Sequence, residues 1–124
     1  MNILIVDDSR LSRSYVKKTL TLTPNAVTNI FEVENGNEAL KFLESGTVGC
    51  MFLDLNMPEM TGVELVENMF HKGLLGKVEI VVTSSLVERH RADLEERGVK
   101  YFLKKPFSPE SLAEIAELIQ RKQI

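Results

Sequence analysis

The sequence predicts a doubly wound α/β domain, a parallel five-stranded sheet with helices on both faces. Two observations predict it. Short apolar runs recur at Ile3 to Val6, Ile30 to Val33, Met51 to Leu53, Val78 to Val82 and Tyr101 to Leu103, with longer mixed stretches of helical spacing between them. Strands alternating with helices build a parallel sheet, and its crossovers are expected to be right-handed. The runs are also continuously apolar rather than alternating, which is what strands covered on both faces require.

Each element has its own signal. After the first run, Ser9 is placed to cap a helix striped by Leu11, Tyr15, Val16 and Leu20. Asn35-Gly36 marks a turn before the second helix. Val63, Val66, Met69 and Phe70 stripe the third. The stretch from Val87 to Gly98 is heavily charged and carries only a thin stripe, Val87, His90 or Arg91, and Leu94. Ser108 and Pro109 open the last helix, whose Leu112, Ile115, Ala116 and Ile119 follow the i, i+3, i+4, i+7 pattern. Gly46, Gly73 and Gly98 fall where helices should stop.

Composition narrows the function. The 124 residues are 44% hydrophobic and 27% charged, with net charge -3. That is ordinary for a globular domain and gives no basic surface for nucleic acid or an anionic membrane. No segment has the length of a membrane span, and Asp7-Asp8 interrupts the apolar start where a signal peptide would continue. The lone Cys50 cannot form an internal disulfide and reads as a small buried residue. A cytoplasmic protein is expected, with residues 1–124 forming one unit without an output domain.

In such a sheet ligands bind beyond the C-terminal strand ends. The first strand ends in Asp7-Asp8, the third in Asp54, the fourth in Thr83-Ser84 and the fifth in Lys104-Lys105-Pro106. Each piece alone reads blandly, as a helix cap, a polar loop or a solvated charge. Together they hold what one phosphoryl-aspartate site would use. Converging carboxylates repel, and a hard cation such as magnesium relieves them. Aspartate is a nucleophile for phosphoryl groups. A Thr83 hydroxyl and a lysine ammonium suit phosphoryl oxygens. Pro106 favours a cis peptide after Lys105.

The stretches ILIVDDSRLSR, EVENGNEAL, MFLDLNMPEMTG, IVVTSS and YFLKKPF, in that order, resemble the receiver domains of two-component response regulators. The single-domain chemotaxis type is nearest in size. The resemblance implies a flavodoxin-like (βα)5 fold with strand order 2-1-3-4-5. It implies Asp54 as phosphoacceptor, Asp8 as direct magnesium ligand and Asp7 as holder of a metal-bound water, with the Asn56 backbone carbonyl also on the metal. Thr83 and Lys105 would contact the phosphoryl group, leaving Lys104 as a surface charge. Phe102 takes the place of a switching aromatic residue that is often Tyr, so a hydroxyl is missing there. Ser84 stands where a small residue, often Ala or Gly, is usual and is itself small enough, and Asn56 and Ser85 occupy positions that tune dephosphorylation.

The resemblance further implies a histidine kinase or phosphotransfer protein as donor. It implies a downstream protein bound by the face of the fourth helix, fifth strand and fifth helix. A monomer is expected, with dimerisation on phosphorylation open. Partner choice is expected on the first helix, at Arg10, Arg13 and Lys17. His71 and His90 read as structural. A phosphorelay intermediate or a phosphate sink fits the same residues. A small magnesium-dependent aspartate-nucleophile phosphatase fits less well, because Asn56 stands where it needs a second acid. A flavin carrier would have its cofactor phosphate repelled by Asp7-Asp8, and the complete residue set argues against a pure scaffold.

Overall fold

The structure, a computed structural model, describes residues 1–22 and 29–122. Five strands alternate with five helices: β1 (Asn2–Val6), α1 (Arg10–Thr21), β2 (Asn29–Val33), α2 (Gly36–Ser45), β3 (Cys50–Asp54), α3 (Gly62–His71), β4 (Glu79–Ser84), α4 (Val87–Glu96), β5 (Tyr101–Lys104) and α5 (Pro109–Lys122). A 3-10 turn at Leu75–Lys77 precedes β4. All four strand pairings are parallel, in the order β2-β1-β3-β4-β5.

The period of two along each strand splits the core into two layers. Leu4, Val6, Met51, Leu53, Ile80 and Val82 face α2, α3 and α4. Ile3, Ile5, Cys50, Phe52, Val81 and Leu103 face α1 and α5. Every residue of β3 is buried, because the central strand has a neighbour on each edge and helices on each face. β2 departs from the expected full burial: as an edge strand it leaves Asn29, Phe31 and Glu32 exposed.

The capping signals hold in detail. Ser9 Oγ accepts the Ser12 N–H, and Asn35 Oδ1 accepts that of Glu38. Thr61 and Glu64 form a reciprocal capping box at the start of α3. Gly73 and Gly98 take φ of 70° and 97° just past the ends of α3 and α4, the left-handed stop that glycine permits. The α1 stripe is only half right: Val16 and Leu20 are buried, but Leu11 is 83% exposed and Tyr15 40%. α1 turns its first two stripe residues toward the β5–α5 loop rather than the sheet.

Candidate functional site

The strand register places the site. Asp54 at the end of β3 sits beside Thr83 on β4, and Thr83 beside Leu103 on β5, two residues before Lys105. On the other flank, Val6 pairs with Leu53, so the chain leaving β1 delivers Asp7 and Asp8 to the same edge. The Asp7, Asp8 and Asp54 carboxylates each offer an oxygen within 4.8 Å of the others. Lys105 Nζ lies 3.0 Å from Asp7 Oδ2 and 3.5 Å from Asp54 Oδ1. The Lys105–Pro106 peptide is cis. Thus Asp7, Asp8, Asp54, Thr83 and Lys105 come together as the sequence predicted. Lys104 is exposed and apart from them. Cys50 is buried at the start of β3, where desolvation and the Glu79 charge push its thiol far above the usual range, so it is inert.

The charge balance is uneven. Asp54 is buried, and desolvation with the Asp7 carboxylate raises its pKa from 3.8 to about 6. Asp8 adds a smaller push, while Lys105 and the Asn56 backbone N–H pull the other way. Three carboxylates against one ammonium leave two negative charges uncompensated. At an effective dielectric near 20, the buried Asp7–Asp54 pair at this spacing costs about 3 kcal/mol, and the exposed Asp8 adds less. A divalent cation with hard oxygen ligands would offset that excess, so the donor set fits such an ion.

The loop after β3 is built to hold Asp54 in place. Gly62 opens α3 with its N–H donating to Leu55 O at 3.0 Å. A Cβ on Gly62 would fall 2.6 Å from Asp54 O and 2.7 Å from Leu55 Cα, so no side chain fits this close approach. Between them the Met60 N–H donates to Pro58 O at 2.8 Å, with Glu59 at φ 66°. This is a γ-turn of the uncommon positive-φ kind, a strained conformation centred on a non-glycine residue.

Two residues of the site escaped the sequence reading. Arg13 was expected to face a partner. Instead its guanidinium donates to Asp7 O at 2.7 Å and to Glu32 Oε1 at 3.1 Å, tying α1 and β2 to the acidic corner. Lys17 reaches the same Glu32 at 3.6 Å. Ser9 N–H donates to Asp7 Oδ1 at 2.9 Å, so one residue caps α1 and orients an acid. The Arg13 contacts have no local sequence signal, because Glu32 reaches them only after β2 has paired with β1, whereas the Asp7–Ser9 bond is a local Asx turn. Phe102 packs half-buried against the core layer that contains Val87 and Leu94, and Tyr101 against the opposite layer, as strand alternation requires.

Known proteins are similar to this chain in sequence and fold. The nitrate/nitrite response regulator NarL of Escherichia coli K12 is 35% identical over 113 residues, 89% of this chain and 50% of that protein. The chain therefore spans about half the length of that relative. Chemotaxis protein CheY1 of Helicobacter pylori is 30% identical over 123 residues, 96% of each chain. The crystal structure of response regulator TrrA of Thermotoga maritima, in complex with Mg(2+)-BeF, superposes with a TM-score of 0.79 at 28% identity, covering 95% of this chain and 97% of that one. The model of the response regulator receiver domain matches residues 3–117, which takes in every strand end described above, and the chain belongs to that family.

Proposed function

We propose that this protein is a phosphorylation switch that takes a phosphoryl group on Asp54. The observation that carries the reading is the edge where Asp54, flanked by Asp7 and Asp8, meets Lys105 at 3.5 Å and is neighboured by Thr83 on the next strand. An Asp54 carboxylate oxygen forms the new bond to phosphorus. The bond from phosphorus to the donor's nitrogen or oxygen breaks, and that atom leaves with the electron pair; a leaving nitrogen takes up a proton from solvent, and an acyl oxygen leaves as a carboxylate. Lys105 steadies one phosphoryl oxygen by charge, and the Thr83 hydroxyl donates to another.

Asp8, Asp54 and the Asn56 backbone carbonyl would hold magnesium in this reading, with Asp7 holding a water beside it. When bound, the ion would supply charge neutralisation for the phosphoryl oxygens. Support comes from the acid cluster itself and from the bound Mg(2+)-BeF in the Thermotoga structure.

The donor is a histidine kinase or a phosphotransfer protein, or a small acyl phosphate. A groove of about 640 Å³ lined by Leu11, Tyr15, Lys105, Pro106 and Phe107 opens beside the site. Its exposed apolar residues give a donor protein a place to dock on the α1 side. Output runs through Thr83 and Phe102 to the face of α4, β5 and α5, where phosphorylation favours one of two conformations.

Incubation with acetyl phosphate and magnesium, followed by intact mass measurement, tests the reading. The wild type should gain one phosphoryl group. Asp54→Asn, or wild type with chelator, should gain none. A wild type that binds magnesium yet gains nothing would overturn the proposal, as would sustained multiple-turnover hydrolysis of a generic phosphate ester.

A further inference from the structure

Of the residues of α4, only Val87 and Leu94 are buried, and no side chain caps the helix N-terminus. Two arginines reach from it to aromatic rings. Arg97, the residue that ends α4, places Cζ 4.3 Å over the Phe70 ring on α3 and Nη2 2.7 Å from Glu67. Arg91, mid-helix, places Cζ 4.4 Å over the Phe102 ring on β5, with Nη2 3.2 Å from Glu88 one turn earlier. The first contact pins the C-terminal end of α4 to a neighbouring helix. The second covers a residue that pairs with Val82, the residue before Thr83, which itself pairs with Asp54.

We propose that the stack of Arg91 on Phe102 is a latch that holds the unphosphorylated conformation. The proposal rests on the reading of Asp54 above and names a regulator of that site. A phenylalanine ring has no hydroxyl by which its position could be fixed, so beyond its packing on the core layer its outer face is what remains to be held. A guanidinium over that face attracts it only while the two stay stacked. If the ring moves toward Val82 and the core, Arg91 loses the face and is left with Glu88 and solvent. The contact therefore differs between the two conformations, and a conformational equilibrium shifts only by such differences. By linkage, whatever favours the resting conformation weakens binding of a phosphoryl analogue at Asp54.

The test is a cycle of Arg91→Gln, Phe102→Leu and the double variant, titrated with beryllofluoride in saturating magnesium. Arg91→Gln should tighten beryllofluoride binding about two- to fivefold, the range for a half-exposed stack. In the Phe102→Leu background the same change should do nothing. Unchanged or weaker binding in Arg91→Gln overturns the latch, and so does an equal gain in both backgrounds. The Phe102 ring is read separately by NMR in the free proteins. Arg91→Gln should shift its ring resonances and rotamer populations, and a ring indifferent to Arg91 also overturns the latch. Should the wild type take up no beryllofluoride, the reading of Asp54 falls while the ring signals still decide the latch.

Discussion

β5 lies between two helices of opposite character. On one side α5 runs 14 residues, opens with Ser108 Oγ accepting the Ser111 N–H, and buries Leu112, Ala116 and Ile119. Tyr15 of α1 ties its approach, donating to Phe107 O at 2.9 Å with the two rings 5.6 Å apart. On the other side α4 runs 10 residues, lacks a side-chain cap, buries only Val87 and Leu94, and adds two arginines over rings. The same strand thus has a side fixed by a longer buried stripe and a side where two buried aliphatics are supplemented by contacts worth little each. Buried aliphatic area resists displacement at about 25 cal/mol per Å², whereas exposed cation–ring and ion pairs contribute about 1 kcal/mol or less each. A switch needs this asymmetry, since a signal of a few kcal/mol can move the second kind of element and not the first.

The largest effect should come from the fixed side. Leu112 is fully buried between α5 and the sheet, and Leu112→Ala should cost about 2–5 kcal/mol of global stability in urea titrations. Amides of α5 should exchange only through global unfolding, and those of α4 through a cheaper local opening. If both helices exchanged with the same free energy, the contrast drawn here would fail.

Between the two lies the acidic edge, where Asp54 is kept at the expense of stability. Its folded pKa, about 6, lies above its ordinary value of 3.8. The fold therefore favours the protonated acid. The stability contributed by that preference is fully present below pH 3.8 and is lost as pH rises through 6. Asp54→Asn should equal the wild type near pH 4 and exceed it by about 1–2 kcal/mol above pH 6, after allowance for solvent at the open side of the site. Magnesium should close the gap. A wild type that gains stability relative to Asp54→Asn from pH 4 to 7 without metal would contradict this sign.

How much of this was legible in the sequence follows from the same contrast. The fixed side announces itself by period: Leu112, Ile115, Ala116 and Ile119 can hardly be anything but one face of a helix, and Ile115 alone is only half-buried. The site was legible because parallel strands bring Asp7, Asp8, Asp54, Thr83 and Lys105 to one edge regardless of side-chain detail. Leu11 was misplaced because a stripe says which residues share a face and not how far along the helix the sheet extends. The turn of Arg13 back to Asp7 O, the positive φ of Glu59 and the stacks of Arg91 and Arg97 on rings have no periodic signature. They arise from long side chains and a tight loop meeting partners that only the folded chain supplies.

The smallest effect isolates the movable side. Arg97 joins α4 to α3 through Glu67, which also lies 3.8 Å from His71, and through the Phe70 ring. All of these groups are at least partly exposed, so Arg97→Gln should lower global stability by about 1 kcal/mol or less. Its local consequence should be larger in proportion. With the C-terminal pin removed, amides from Val87 to Glu96 should exchange severalfold faster while those of α5 keep their rates. Loss spread evenly over both helices would mean that Arg97 is simply part of the common core. Loss confined to α4 would show that its position is set by a few separable contacts, the condition under which an event at Asp54 can reposition one flank of β5 and leave the other in place.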